Sequence, residues 1–344
     1  MAAAGKKRKW PKIVLTVLCI LLALILVGMI FGFVYVKSLL NKIPRLEESV
    51  PTLSPEQIAS IESETDPVDP TFQGAELNPT DVTWATEPAP TIGKEDTIIN
   101  ILLIGQDREP GEGRQRSDSM ILCTLNTETK TLTMTSFLRD LYVQIPGYRD
   151  NRLNASYQFG GMPLLNQSLE VNFGVHVDGN VEVDFKRFEK LINLMGGVDV
   201  SLTQKEVDYL NACNNWGFVK GSNHMNGQQA LEFARIRKID SDFNRTGRQR
   251  RVLTALINQC RYSSVSHLMD LLDEVLGLVK TDLTDEQIIN YALEIFPLLS
   301  ELTITTQHIP AAGTYDSVRI RGMAVLVPDL EANRQILAES LAGQ

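Results

Sequence analysis

Residues 97–105 read TIINILLIG, a run of apolar and mostly β-branched side chains that ends at a glycine. Such a run is typical of a strand that is buried inside a sheet. Two similar runs, 119–125 and 131–137, flank a short polar segment, and this spacing predicts a β-hairpin after the first strand. Together the three runs predict the core of a β-sheet.

Helices are predicted between and after these strands. Apolar side chains recur at the spacing of one helical face over 185–195, and the pair Gly196-Gly197 ends that pattern. Asn226 is typical of a residue that caps the start of a helix, here one that runs to about residue 234. The other predicted elements are a strand at 198–202, helices at 246–261, 265–279 and 285–299, a strand at 302–309 and a closing helix at 328–341.

Strands and helices alternate without a clear linker from residue 96 to the carboxyl end. With 43 % hydrophobic residues the chain can bury a large core, which excludes a wholly disordered protein. We therefore predict one α/β domain over 96–344, with three α/β/α layers around a central mixed sheet.

The amino-terminal region has the composition of a membrane anchor. Residues 13–36 are 24 consecutive positions without a charge, enough for one transmembrane helix across about 30 Å of hydrocarbon. A basic cluster at 6–9 precedes them, so the positive-inside rule predicts a cytoplasmic segment at 1–12 and an extracellular chain after Lys37. A cleaved signal peptide is the alternative, but its apolar region would be shorter and no small-residue cleavage site follows.

The segment between the predicted anchor and the predicted domain, 37–95, reads as an extracellular spacer. It holds eight of the fifteen prolines, and its acidic side chains far outnumber its basic ones. This composition favours an extended, self-repelling chain. We predict that it holds the domain away from the membrane surface, and a plain linker fits the composition equally.

The net charge of −9 hides an uneven distribution. Residues 97–262 carry a net +2 and hold fourteen arginines against six lysines, whereas residues 263–344 carry −8. The average charge argues against a polyanionic ligand. The concentration of arginine argues for one, because the guanidinium is a forked donor that matches phosphate oxygens.

Several charged side chains lie where predicted strands and helices begin or end. Asp107 follows the first strand, Asp118 opens the hairpin, and Arg139 and Asp140 follow its second strand. Five more polar side chains lie at comparable positions: Arg116, Arg235, Arg237, Arg245 and Gln249. Because α/β folds bind anions at such positions, the pattern favours a pyrophosphate site with a divalent cation on Asp107 and Asp118.

A second interpretation needs no ligand. In it, three arginines form surface ion pairs with nearby carboxylates: Arg235, Arg237 and Arg248 with Asp240, Asp242 and Glu232. Such pairs are common and contribute little to stability. Spacing alone does not decide between the two interpretations.

Cysteine and histidine indicate no further site. Cys123, Cys213 and Cys260 follow the predicted anchor, but their spacing does not match a zinc site. A disulfide between two of them stays open. The four histidines are scattered and form no pair of metal ligands.

Short motifs in a fixed order resemble the extracytoplasmic domain of the LytR-CpsA-Psr family. They read NILLIGQD at 100–107, RSDSM at 116–120, SFLRD at 136–140, GGVDV at 196–200, LEFARIR at 231–237, DFNR at 242–245 and RQ at 248–249. Each motif alone is weak, but the combination in this order is specific. One position departs from the family pattern: Leu138 stands where proline is usual, so the turn that aims Arg139 is expected to be looser.

The resemblance implies an enzyme of a Gram-positive-type cell envelope. It would transfer a glycopolymer, such as wall teichoic acid or capsular polysaccharide, from a polyprenyl diphosphate carrier to peptidoglycan. By that resemblance Asp107 and Asp118 hold Mg²⁺ or Mn²⁺ and, with Arg139, form the catalytic group, which Asp140 supports. The diphosphate ligands that it implies are Arg116, Arg139, Arg235, Arg237, Arg245 and Gln249.

The expected reaction is an attack by a peptidoglycan sugar hydroxyl on the sugar-linked phosphorus, with polyprenyl phosphate leaving. Asp107 is the first choice for the base that accepts the hydroxyl proton. Hydrolysis of the lipid diphosphate uses the same residues and remains an alternative, as does a non-catalytic wall-binding module. A DNA-binding regulator is disfavoured, and no nucleic acid partner is predicted, because the arginine-rich domain is predicted outside the membrane and shows no helix-turn-helix.

Overall fold

The computed structural model describes residues 37–38, 40–44, 53–63, 65, 72, 74–85, 89–106, 114–261, 274 and 276–341. The predicted transmembrane helix, 13–36, and most of the helix predicted at 265–279 lie outside this set. Within it, no helix combines the length and the apolar character that crossing a bilayer requires.

A mixed sheet of six strands forms the centre of the domain. In spatial order its strands are β10 (Thr303–Ile309), β3 (Thr131–Phe137), β2 (Ser117–Asn126), β1 (Ile98–Gln106), β6 (Gly179–Asp184) and β9 (Lys280–Thr281). The first three strands of the chain are antiparallel neighbours, as the predicted hairpin requires. β6 runs parallel to β1 and β10 runs parallel to β3, so the prediction of a central mixed sheet is confirmed.

Helices cover both faces of this sheet. Those in the described residues are α1 (Pro55–Glu62), α2 (Leu153–Phe173), α3 (Phe185–Leu194), α4 (Gln204–Asn214), α5 (Gly227–Arg235), α6 (Asp242–Arg261), α7 (Asp285–Leu298) and α8 (Leu330–Leu341). Successive side chains of β1 point to opposite faces. Leu102 packs in one core with α2 and α8, while Leu103 faces α3, α5 and α6. The domain therefore has three α/β/α layers.

Three two-stranded sheets lie outside the central one: β4 (Tyr142–Val143) with β5 (Asn151–Arg152), β7 (Val198–Leu202) with β8 (Gly221–Met225), and β11 (Tyr315–Ile320) with β12 (Met323–Pro328). The strand predicted at 198–202 therefore exists but pairs with β8 rather than with the core. The closing helix begins at Leu330, because the preceding residues belong to β12.

Helix α2 is the main element that the sequence pattern does not predict. Fourteen of its 21 residues are buried, so it lacks the polar face that produces a helical period. Gly161 and Pro163 also lower its helix propensity, and Gly161 has a φ of 66° at a kink. Helix α6 begins at Asp242 rather than at 246, which places Arg245 in its first turn.

Part of the segment predicted as a spacer packs against the domain. Ser54 and Gln57 form a capping box at the start of α1, and Ile61 at its end is buried in the same core as Leu102. Farther along, the N–H of Leu77 donates to Arg319 O at 2.8 Å, which ties this stretch to β11. Apolar side chains recur among the acids here, so burial outweighs the self-repulsion of the acidic segment.

Substitution of Ile61 by alanine is expected to lower the free energy of unfolding by about 2–4 kcal/mol, because it empties a buried site in the core. Chemical denaturation of the purified chain measures this loss. Ser60→Ala, at an exposed position of the same helix, serves as the control and should change stability little. Equal stability of the Ile61 variant and the parent would show that α1 does not pack in solution.

Candidate active site

The predicted site residues meet at one end of the central sheet. Because β1 and β2 are antiparallel, the start of β2 lies beside the end of β1, with Gly105 opposite Ser119. Arg139 follows the end of β3 at the same edge. Helix α5 ends at Arg235 and α6 begins at Asp242. Arg237, which lies between them, reaches Asp118 at the same edge of the sheet.

Asp118 lies at the centre of a charged cluster. Its Oδ1 accepts a hydrogen bond from Arg139 Nη1 at 2.9 Å and another from Arg237 Nη2 at 3.1 Å. The Asp118 side chain is only 20 % exposed, so its pair with Arg139 is largely shielded from water, whereas the Arg237 side chain is 49 % exposed. Two guanidiniums that share one carboxylate oxygen retain further N–H donors, which is what recognition of a diphosphate requires.

Arg139 lies among three carboxylates. Its Nε is 3.5 Å from Asp140 Oδ2, while Asp140 Oδ1 is 3.5 Å from Arg152 Nε. Burial opposes the charge of Arg139, but the carboxylates of Asp140, Asp242 and Asp118 outweigh burial and raise its pKa. Among the described residues, Arg139 Nε finds no acceptor within hydrogen-bond geometry. The cluster thus holds a permanently charged side chain that is partly buried, and its exposed fraction of 25 % leaves it accessible to a ligand.

Arg237 and Arg245 add further positive charge. Arg245 is buried and donates from Nε and Nη2 to the two carboxylate oxygens of Asp242, at 2.7 and 3.0 Å. Burial lowers the pKa of Arg237, and the charges of Arg139 and Arg245 lower it further. Arg139 and Arg237 both bond Asp118 Oδ1, so their guanidiniums lie close together, and a bound polyanion would relieve their repulsion.

Gln249 and Arg235 lie next to the cluster. Ser119, the residue that follows Asp118, donates from Oγ to Gln249 Oε1 at 3.0 Å. The guanidinium of Arg235 stacks on Phe185, with Cζ 4.4 Å from the ring centroid. The two residues come from α6 and α5, and both contribute to the wall of a cavity.

An apolar cavity opens between the sheet and the helices α3, α5 and α6. Its volume is about 200 Å³. Its wall consists of aliphatic and aromatic side chains: Leu103, Ile121, Val181, Val183, Phe188, Leu191, Leu231, Leu253 and Leu256. Ser119, Gln249 and Arg235 line it as well, which places its polar end beside Asp118. The geometry can accept a molecule with a long apolar chain and an anionic head.

The sequence leads us to expect an apolar groove for the lipid tail among the Leu- and Ile-rich helices, but it does not identify the residues that line it. The apolar face of α3, at 185, 188 and 191, is visible in the helical spacing, but a single face does not show what lies opposite. The opposite wall includes Val181 and Val183 of β6, a strand that the sequence pattern does not predict.

The two remaining predicted site residues are Arg116 and Asp107. Arg116 Nε donates to Gln158 Oε1 of α2 at 3.2 Å. Asp107, the predicted metal ligand and base, lies outside the described residues. The residues brought together are Asp118, Arg139, Asp140, Arg237 and Arg245, with Arg235 and Gln249 at the adjacent cavity.

The turn that carries Arg139 is anchored, in contrast to the looser turn expected from Leu138. The N–H of Leu138 donates to Ile309 O at 2.9 Å, and its side chain is buried in the main core. A proline at this position has no N–H and could not form that bond. The hydrogen bond to β10 therefore replaces the rigidity that proline supplies.

The described residues contain no group of three His, Cys, Asp or Glu side chains that could hold a metal ion. Asp118 offers carboxylate oxygen, the ligand that Mg²⁺ prefers, at the edge where Asp107 follows β1. Its chemistry therefore fits one ligand of a divalent cation. Cys123, Cys213 and Cys260 are free thiols, so the disulfide left open by the sequence is not formed.

Comparison with known proteins gives a consistent result. The sequence pattern of the LytR_cpsA_psr family matches residues 62–339. A relative from Oceanobacillus iheyensis, named polyisoprenyl-teichoic acid–peptidoglycan teichoic acid transferase TagU, is 34 % identical over 255 residues, or 70 % of this chain and 75 % of the relative. A Bacillus mycoides protein of the same name is 36 % identical over 193 residues, or 55 % of this chain and 62 % of the relative.

A solved structure shares the fold. The structure described as TagT bound to LIIa-WTA has a TM-score of 0.59 and 28 % sequence identity, and the match covers 76 % of this chain and 97 % of that one. The chain thus spans nearly all of the solved domain and about three fifths of the length of the Bacillus mycoides relative.

Proposed function

The chain belongs to the LytR-CpsA-Psr family, and from this premise we propose that it is a membrane-anchored phosphotransferase. It moves a glycopolymer of the wall teichoic acid or capsular polysaccharide type from a polyprenyl diphosphate carrier to peptidoglycan. The observation that carries the proposal is the apolar cavity whose polar end adjoins the cluster of Asp118, Arg139 and Arg237. The names of the teichoic acid transferase relatives support a polyprenyl-linked polymer as the donor and peptidoglycan as the acceptor.

The cavity suits the prenyl tail of such a carrier. Each buried methylene contributes about 0.8 kcal/mol, so several isoprene units in an apolar cavity give substantial affinity without specific contacts. The head group is then selected by charge. Arg139 and Arg237 bind the diphosphate, while Arg235 and Gln249 contact it at the end of the cavity, and Arg245 and Arg116 complete the set of donors.

The proposed reaction is an in-line displacement at the sugar-linked phosphorus. The oxygen of a peptidoglycan sugar hydroxyl forms a new P–O bond, the P–O bond to the bridging diphosphate oxygen breaks, and polyprenyl phosphate leaves with that electron pair. The hydroxyl proton passes to a carboxylate, for which Asp107 is the candidate. Arg139 and Arg237 stabilise the charge that grows on the leaving phosphate, which is the main requirement of phosphoryl transfer.

Asp107 and Asp118 are the residues that would hold Mg²⁺ or Mn²⁺. A divalent cation bound there would neutralise part of the negative charge of the diphosphate. Asp140 supports the site differently: it lies between Arg139 and Arg152 and fixes the orientation of the former.

The proposed location is the outer face of the cell membrane. Residues 13–36 form the anchor, with 1–12 in the cytoplasm and the domain outside, where both the lipid carrier and peptidoglycan are accessible.

The decisive experiment supplies the full chain with radiolabelled lipid-linked polymer and peptidoglycan oligomers. We expect the label to become covalently attached to the oligomers and polyprenyl phosphate to be released in equal amount. Release of free polymer without attachment would show hydrolysis instead and would overturn the transferase proposal.

Removal of divalent cations is expected to lower transfer about a hundredfold, because the diphosphate charge is then only partly neutralised. Chelation followed by titration with Mg²⁺ measures this, and Asp118→Asn should raise the Mg²⁺ concentration needed for half-maximal rate. Asp199→Asn, at an exposed carboxylate paired with His224, is the matched control. Full activity after chelation would contradict the cation assignment.

A further inference from the structure

A loop of six residues carries Arg237. Helix α5 ends at Arg235 and α6 begins at Asp242, so residues 236–241 connect them. The side chain of Arg237 is 49 % exposed, and its Nη2 donates to Asp118 Oδ1. A half-exposed arginine on a short connection loses considerable conformational freedom when it binds a ligand, unless the loop is already fixed.

Arg248 of α6 bridges the two ends of this loop. Its Nη1 and Nη2 donate to the two carboxylate oxygens of Asp240 at 2.8 and 2.7 Å, and Nη2 also donates to Ile236 O at 2.7 Å. Its side chain is 2 % exposed. The ion pair of Arg248 and Asp240 that the sequence allowed on the surface therefore exists, but it is buried. One rigid guanidinium fixes the residues on both sides of Arg237.

A second carboxylate holds Arg248 from the other side. Glu206, in the first turn of α4, lies 3.5 Å from Arg248 Nη1 and accepts a hydrogen bond from Arg251 Nη2. Glu206 also accepts from the N–H of Thr203 as part of a capping box. Two guanidiniums face two carboxylates, so the buried group is balanced in charge. Arg248 therefore acts through geometry and not through attraction of the ligand.

We propose that Arg248 is a positioning residue for Arg237. It fixes the loop 236–241 so that the Arg237 guanidinium is presented to the carrier diphosphate before binding. The proposal rests on the proposed function, because the diphosphate is the ligand that Arg237 receives there. Preorganisation of a binding side chain by a buried partner improves affinity without a contact between that partner and the ligand.

A double-mutant cycle tests the coupling. Arg248→Lys keeps the positive charge but removes the guanidinium that donates to both Ile236 O and the Asp240 carboxylate. Calorimetry measures the binding of farnesyl diphosphate to the full chain in detergent. We expect Arg248→Lys to weaken this binding about tenfold. In a chain that already carries Arg237→Ala, we expect Arg248→Lys to have no further effect. Equal weakening in both backgrounds would overturn the proposal, because it would show that Arg248 does not act through Arg237.

Hydrogen–deuterium exchange provides a readout that needs no ligand. Arg248→Lys should increase exchange at the amides of Ile236, Asn244 and Arg245, which bond Phe233 O and Ser241 O at the two ends of the loop. Arg251→Lys, which removes the neighbouring guanidinium from Glu206, should leave their exchange unchanged. Unchanged exchange in the Arg248 variant would overturn the proposal. If the parent chain binds no farnesyl diphosphate, the proposed function fails, while exchange still decides whether Arg248 holds the loop. Asp240→Asn gives the same test from the other side should Arg248→Lys not fold.

Discussion

Replacement of Arg139 by alanine is expected to reduce glycopolymer transfer by about a thousandfold, because one preorganised donor to developing charge accounts for factors of this size. Arg139 is partly buried, donates to Asp118, and has a pKa raised by the three carboxylates around it. Its loss removes a diphosphate donor and also leaves these carboxylates facing the anionic substrate. The transfer assay with lipid-linked polymer and peptidoglycan oligomers measures the rate.

A fold control accompanies this variant. Arg149→Ala removes an arginine from the same region of the chain, but its side chain is 71 % exposed and lies 3.6 Å from Glu62. It should retain nearly full transfer and the parent's melting temperature. If a folded Arg139→Ala enzyme lost less than tenfold in rate, the charged cluster would not be the site of chemistry.

Replacement of Leu253 by tryptophan is expected to weaken binding of a long-chain polyprenyl diphosphate at least about a hundredfold, because exclusion of a few methylenes already costs that much. Leu253 lines the apolar cavity from α6 and is not fully buried, so an indole can enter the cavity without displacing the core. Binding of a diphosphate with a single isoprene unit should be unaffected, since its head group contacts the arginines alone.

Leu253→Met provides the matched comparison, because it conserves volume and leaves the cavity open. Titration calorimetry of parent, tryptophan and methionine variants with both ligands separates loss of cavity space from general damage. Equal weakening of the long and the short ligand by the tryptophan would contradict the assignment of the cavity to the lipid tail.

Four of the six strands of the central sheet were predictable because they carry their own signal, whereas β6 and β9 were not. Residues 97–104, 131–137 and 302–309 are apolar or β-branched runs bounded by turn residues, and the structure places a strand at each. Helix α2 was not predictable for the opposite reason. It is buried on nearly all sides and kinks at Gly161, so neither periodicity nor propensity marks it.

The sequence identified most residues of the charged cluster but not the contacts between them. Asp118, Arg139 and Arg237 stand out because each lies at the end of an apolar element. Which carboxylate each arginine reaches depends on tertiary contacts between residues more than a hundred positions apart, such as Arg237 with Asp118. The two interpretations of Arg248 show the same limit: spacing allowed a pair with Asp240 but could not show that it is buried.

The docking of α1 sets the working range of the enzyme. Were residues 37–95 a free tether from the proposed anchor, they could extend about 200 Å, at roughly 3.4 Å per residue. With α1 packed on the domain from residue 53, at most residues 37–52 could act as a tether, and Leu40 and Ile43 within them are buried, so the span is below about 55 Å. On the proposed function, the acceptor strands that the domain can reach are then those nearest the membrane.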